Sequence, residues 1–492
     1  MNTLNMIARY NKEQNPMTFK KLLLIYLIFN TISVFAQKKE LHYNLQSTFV
    51  GGTGNSTAFW GVSNQYGTIS VNPNSAMLRT GLFMQYDTTK HKGIDYAAGL
   101  DILNRFDGKY NLFFQQYFLK LKAGIFTLQG GRIEELFGNQ DSTLSSGGLL
   151  WSGNAPPMPK ITVGILQYTN VPYTHGYLEI KGAISHGWFG SDSHIKGEWL
   201  HHKYIELRAG GDLPVKINFG FHHFVQWGGV SPEYGRLPSS FKDFWIVFRA
   251  KQVDTTGIPQ GNVGQMSEFS NRIGNHLGCR DFGIDVNLHR LDVGAYFQSY
   301  FEDASSLRWH NLPDGLYGLY VKPKNGTWLK KVVIEYVATT NQCFSYRSHT
   351  IYPGSDDLFN NGVYLSGWTK NDFTIGSPFI TSPVLLRKTD IPMDIGFDYL
   401  RNNKVQALHL GLEGNLKAVE YRVKLSYFKS YGTYNVPIPK SSTLNTYVEL
   451  KKYFQLLGGI EVSSIIASDF GDLFKNKSSF LLTIKKNGIL HL

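Results

Sequence analysis

Ala418-Val-Glu-Tyr-Arg-Val-Lys-Leu-Ser-Tyr-Phe428 alternates without a break. Val419, Tyr421, Val423, Leu425 and Tyr427 fall on one side of an extended chain. Glu420, Arg422, Lys424 and Ser426 fall on the other, because successive strand side chains point to opposite faces. The pattern predicts a strand with one apolar and one charged face. It recurs along the chain: Tyr117, Leu119 and Leu121 oppose Phe118, Lys120 and Lys122; Leu178, Ile180 and Ile184 oppose Glu179 and Lys181; Ile284, Val286 and Leu288 oppose Asp285, Asn287 and His289.

A sandwich of two sheets alternates too, so segment length and loop length decide between the folds. Many segments run nine to twelve residues, the length of a tilted membrane strand. Strands are expected near 41–51, 74–86, 93–104, 112–121, 124–132, 160–168, 177–188, 203–210, 214–226, 279–289, 291–301, 314–321, 328–338, 404–413, 417–429, 445–453, 457–467 and 478–487, about 18 in all. Connections after odd-numbered strands are long and those after even-numbered strands mostly tight. That parity is the habit of a transmembrane antiparallel outer-membrane β-barrel, with long extracellular loops, short periplasmic turns and both termini in the periplasm. Closure also leaves no unpaired strand edge in hydrocarbon.

The composition fits. Of 492 residues, 17% are charged and 14% aromatic, with 50 glycines. Such aromatic content excludes a disordered chain, and two cysteines, Cys279 and Cys343, exclude a disulfide scaffold. Met17-Thr-Phe-Lys-Lys21, the apolar Leu22–Phe29 and Ala36 before Gln37 read as a secretory signal peptide cut after Ala36, with residues 1–16 an upstream extension. Residues 37–492 are then expected to form a single barrel domain. Ser240-Phe-Lys-Asp243 ahead of Phe244–Ala250 predicts a helix in an outer loop, lying over the barrel mouth or inside the lumen.

Zinc-protease, nucleophile-elbow and Walker motifs are absent, as are cysteine–histidine pairs at zinc spacing. His201-His202 and His222-His223 are poor bidentate ligands, because strand neighbours face opposite sides. No catalytic residue, metal or cofactor is assigned. Export removes nucleic acid as a partner of the net charge of +12.

Trp60, Trp151, Trp188, Trp199, Trp227, Trp245, Trp309 and Trp368 fall in or beside outer loops, and Trp328 alone at the other end. Aromatic girdles occupy both interfaces of a membrane barrel, so the bias needs a further cause. Contact with sugar rings is one, packing inside ordered loops another. Lys120, Lys122, Lys181, Arg208, Lys216, Arg422 and Lys424 point inward on this register, interleaved with Glu179, Glu206, Asp285 and Glu420. Such charges stitch a lumen together or attract an acidic polymer. For a surface lectin, the expected anchors are Trp199, His201 and Trp227 as near neighbours across the mouth, Tyr431 and Tyr434 as a second aromatic platform, and Arg236 as a cation for an acidic sugar.

An ordered set of segments carries a resemblance: Ser185-His-Gly-Trp-Phe189, Trp199-Leu-His-His-Lys-Tyr204, Phe219-Gly-Phe-His-His-Phe-Val-Gln-Trp-Gly-Gly229, Gly274-Asn-His-Leu-Gly278 with Asp281-Phe-Gly283, Asn360-Asn-Gly-Val-Tyr-Leu-Ser-Gly-Trp368 and Tyr431-Gly-Thr-Tyr-Asn435. Across residues 40–487 the chain resembles the Wzi capsule assembly proteins of Bacteroidetes-type bacteria. The resemblance implies a Gram-negative outer-membrane barrel of about 18 strands that binds capsular polysaccharide or exopolysaccharide and anchors it at the surface, with no enzymatic step. The helical plug described for the enterobacterial type has no clear counterpart here, and none of that type's lectin residues maps onto this chain. Outer-membrane lipid and the barrel-assembly and periplasmic chaperone machinery are the other partners expected. A porin-like channel for anions or oligosaccharides is the rival reading, and a barrel hydrolase a weaker third.

Overall fold

The computed structural model describes residues 39–86, 93–251, 272–302, 304–347, 350–394 and 396–490. The signal-peptide segment, residues 1–36, lies outside them. Eighteen antiparallel strands form one closed sheet. They are β1 (Leu41–Gly52), β2 (Ser75–Met84), β3 (Ile94–Phe106), β4 (Tyr110–Ala123), β5 (Phe126–Arg132), β6 (Pro159–Asn170), β7 (Leu178–Trp188), β8 (Trp199–Ala209), β9 (Val215–Trp227), β12 (Asn275–Asn287), β13 (Leu291–Phe301), β14 (Gly315–Pro323), β15 (Lys331–Ala338), β20 (Val405–Leu416), β21 (Val419–Gly432), β22 (Pro437–Phe454), β23 (Ile460–Gly471) and β24 (Lys477–Leu490). The remaining six make two-stranded ribbons in the loops: β10 (Val230–Ser231) with β11 (Gly235–Arg236), β16 (Phe344–Arg347) with β17 (Thr350–Pro353), and β18 (Thr369–Lys370) with β19 (Phe373–Thr374). Pairing of β1 with β24, from Leu41↔Leu490 to Gly52↔Ser479, closes the wall.

Every expected strand is present. The largest difference is β22, which starts at Pro437 rather than near 445. Its first six residues extend beyond β23, whose pairing begins at Thr443. Prolines at 437 and 439 fit such an edge, where no neighbour needs their missing N–H. The expected loop 430–444 thereby shrinks to a four-residue turn, 433–436. The opposite end of the wall carries tight connections such as Lys417-Ala418, with Lys417 at φ 57°.

The alternation holds in the wall. Leu425 and Tyr427 are 40% and 45% exposed on the outer face, while Ser426 and Phe428 are buried on the inner one. The lumen is not hollow at mid-height. Residues 53–74, 133–158, 354–394 and 396–403 fold into it and build the main core of the molecule. Phe59 stacks with Phe379 and Phe474, Trp151 stacks with Phe224 of the wall, and the Trp368 indole donates to the Leu150 carbonyl at 2.8 Å. Packing of this kind needs polar anchorage, because loop backbone taken out of water must find partners. Three inward carboxylates supply it. Asp469 on β23 accepts the Phe59 N–H at 2.9 Å. Glu335 on β15 accepts the Ser146 N–H and the Ser145 hydroxyl, both at 2.6 Å. Asp281 on β12 accepts the Asn139 N–H at 2.6 Å.

Below this plug, inward charges are mostly paired: Lys181 with Glu206 at 3.0 Å, Arg208 with Glu179 at 3.5 Å, Arg422 with Glu449 at 2.8 Å, and Lys331 with both Asp141 and Glu413 at 2.8 Å. Two polar cavities of about 340 and 220 Å³ lie among these pairs at the short-turn end. Cys279 and Cys343 are both buried and are not joined by a disulfide.

Candidate functional site

At the long-connection end, segments 189–198 and 228–240 knit with residues 361–370 at the top of the plug into a cap. Lys196 and Val230 exchange both backbone hydrogen bonds, at 3.0 and 2.8 Å. Ile195, Leu237, Val363 and Tyr364 make a small buried core between the segments. The His194 backbone N–H donates to the Ser366 hydroxyl at 2.8 Å, and the His194 ring meets the Glu233 carboxylate at 2.8 Å. Deeper, Gln226 donates to Glu198 at 2.6 Å, and the Lys370 amine reaches the Phe189 carbonyl. Burial raises the Glu198 carboxyl to about 7 against the hydrogen bonds from Ser193 and Gln226. Burial likewise lowers the Lys370 amine to about 8. Arg236 stands exposed on the β10–β11 ribbon of this cap.

The other expected anchors sit elsewhere. Trp199 and Trp227 are neighbours, with ring centroids 4.8 Å apart, but as partners in the β8–β9 ladder rather than across the mouth. Leu200, His202, Phe224 and Gln226 point inward to the plug and cap, so strand alternation turns Trp199, His201, Val225 and Trp227 to the outside of the wall. The helix Phe241–Arg249 covers them there. Phe244 lies 5.5 Å from the His201 ring and 6.0 Å from Trp227, and Val247 joins Val225 and Trp227 in a buried cluster. The expected capping box is present, with Ser240 and Asp243 bonded reciprocally and Ala250 left-handed at the C-cap. Its expected place is corrected: the helix lies neither over the mouth nor in the lumen. Its apolar side matches the outward Trp199, Val225 and Trp227, which it covers.

Tyr431 and Tyr434 belong to the β21–β22 hairpin, six strands further round the wall from β9. Tyr431 bonds Gln406 at 3.1 Å, while Tyr434, 40% exposed, has the Lys404 amine 5.8 Å from its ring. The two tyrosines therefore stand apart from Trp199 and Trp227.

The biased tryptophans divide between two places. Trp60, Trp151 and Trp368 are buried in the plug. Trp188, Trp199 and Trp227 line the outer wall, Trp245 is on the covering helix, and Trp309 lies over the outward Arg280 at 3.7 Å. The histidine pairs split as alternation requires: His202 stacks on His222 on the inner side, and His223 meets His276 at 3.0 Å on the outer side.

A family model described as "Capsule assembly protein Wzi" matches residues 36–381 of this chain, 346 of 492 positions. The chain belongs to the Wzi family. No curated protein matches it by sequence. Among solved structures, it is similar to Wzi of Escherichia coli, described as an outer-membrane protein involved in group 1 capsule assembly and a carbohydrate-binding β-barrel. That match has a TM-score of 0.55 at 13% identity over 98% of this chain and 91% of that one. OccAB4 of Acinetobacter baumannii aligns with a TM-score of 0.48 at 11% identity, over 92% and 99% of the two chains. OccK5 (OpdH) of Pseudomonas aeruginosa aligns with a TM-score of 0.46 at 9% identity, over 92% and 98%. This Wzi-family chain is an outer-membrane β-barrel of a Gram-negative bacterium.

Proposed function

We propose that this barrel binds capsular polysaccharide or exopolysaccharide at the cell surface, lectin-like, and anchors it without any catalytic step. The observation that carries the reading is the filled lumen: a wall packed solid at mid-height suits holding a polymer at the mouth, not conducting solutes through it. Family membership points the same way, and the E. coli relative is described as carbohydrate binding. Within this reading residues 37–492 act as one domain of the Bacteroidetes type, delivered by periplasmic chaperones and inserted by the barrel-assembly machinery.

The cap is where we place the polymer. Arg236 offers an exposed cation for an acidic sugar, Tyr434 an exposed ring, and His194 with Glu233 a polar pair at the same end of the wall. Trp199, Trp227 and His201 are set aside for this role because they face outward. The test is retention of capsule. Deleting the gene should release polysaccharide into the medium while its export continues. Arg236→Ala with Tyr434→Ala should weaken binding of the host's own capsule to the purified barrel, with heat-modifiable gel migration unchanged. Full binding by that double variant would move the site elsewhere. A large steady conductance in planar bilayers would favour a porin instead.

A further inference from the structure

The outer wall around β8 and β9 carries a second candidate site, open to the side rather than upward. Along β9 the outward residues run Ile217, Phe219, Phe221, His223, Val225, Trp227. Beside them on β8, in register, run Ile205, Lys203, His201 and Trp199. The apolar stretch, with Ile217 58% and Ile205 41% exposed, suits hydrocarbon. It ends at Lys203 and His223, where the character changes.

The helix Phe241–Arg249 spans the wall from the rim down to just this change. Its last turn lies at the Lys203 level: the Lys203 amine donates to the Phe248 carbonyl and sits 4.3 Å from that ring. Its first turn lies at the level of Trp199 and Trp227. The helix therefore points its C-terminus toward the hydrocarbon and its N-terminus toward the rim. Arg249 and the following Lys251 are exposed at the lower end, and Lys242 at the upper. The helix's one acid, Asp243, is engaged in the cap with Ser240. Between helix and wall opens a groove of about 360 Å³ lined by His186, Trp199, Trp227, Phe241 and Phe244.

From the membrane outward, the wall thus presents apolar side chains, then cations, then an aromatic groove. A phosphorylated glycolipid of the outer leaflet presents acyl chains, then phosphates, then sugar rings. We propose that this face binds such a glycolipid laterally. Its phosphates pair with Arg249 and Lys251, and a sugar ring of its core lies against Trp199, Trp227 and Phe241. Aromatic faces with an N–H at one edge suit sugar rings, and cations set beside an apolar band suit the phosphates. The helix's aromatic, basic exposed side has the composition of an interfacial helix.

The mature chain, refolded in detergent, tests this by native mass spectrometry with rough-type lipopolysaccharide, with its dephosphorylated form, and with lipid A lacking the core. One-to-one binding of the first, at least tenfold weaker binding of the other two, and at least tenfold loss in Arg249→Glu/Lys251→Glu and in Phe241→Ser are expected. Circular dichroism and heat-modifiable migration confirm that each variant is folded. Phe241→Tyr, which keeps the ring, should restore binding. Equal binding of all three lipids, or folded variants that bind as well as the parent, would overturn the proposal. So would cross-linking of Ser239→Cys protomers to each other in bilayers, which would give the face to a second copy of the chain.

Discussion

Val423 and Lys424 are adjacent, yet their surroundings share nothing. Val423 lies on the outer face between Leu412 and Val448 of the paired strands, and Lys424 lies inside with its amine 5.1 Å from the Trp60 ring. Val423→Arg should therefore impair assembly by about 2–4 kcal/mol, the cost of a cation at the bilayer midplane. Lys424→Ala should assemble nearly as the parent does, and refolding into vesicles, read by gel migration, compares the two. Glu198 makes the residue-scale prediction for pH. Its carboxyl titrates at about 7 in the folded cap against an ordinary value near 4.5. Between those values the folded cap holds a proton that the opened cap has lost, so its stability falls as pH rises through that window. Protection factors in segments 189–198 and 226–237, taken relative to intrinsic exchange at each pH, should be higher at pH 6 than at pH 8, and Glu198→Gln should flatten the difference. At this scale the sequence speaks clearly about direction, since period-two alternation sorts nearly every inward lysine and arginine. It is silent on Asp281, Glu335 and Asp469 as loop anchors. An acid among apolar neighbours, like Glu335 between Ile334 and Tyr336, is the available signal, but its partner lies 189 residues away in sequence.

Among the elements, strands are predictable and loops are not, and the reason is physical. A wall strand's pattern is imposed by lipid on one side and polar lumen on the other, so it is written locally. A loop that turns inward is written in contacts with distant segments, as with Trp368 and Leu150. The helix Phe241–Arg249 stands between these cases: its capping box is readable, its docking face is not. Ser240→Ala should destabilise that helix by about 1 kcal/mol. Tryptophan fluorescence of Trp245 should report the loosening, with the barrel itself intact. Glu335→Ala tests a plug element. Losing the acceptor for two loop donors leaves the Ser146 N–H without its partner, which costs roughly 1–3 kcal/mol. Residues 144–150 should then exchange faster, and brief openings should appear in single-channel records of a wall that otherwise reads closed.

For the whole molecule, the expectation is a barrel that is quiet in planar bilayers. A variant with residues 142–150 replaced by a Gly/Ser linker should conduct, and equal currents from the two would show that the plug does not seal the wall. The candidate site is the least readable part of the chain. Trp199, His201 and Trp227 do form one cluster, as their spacing suggests, but which way they face depends on strand register against the plug, through Leu200 and Phe224.

The three carboxylates that grip the plug also bear on the timing of biogenesis. Asp281, Glu335 and Asp469 stand on strands made at different moments of synthesis, and each clasps a loop from an earlier stretch of chain. Were the wall to enter the bilayer first, all three would stand in a water-filled lumen, hydrated but without the loop donors they hold in the finished barrel. Each carboxylate exchanges that water for donors from a loop made earlier, so closing the last staves and seating the loops draw on the same three clasps.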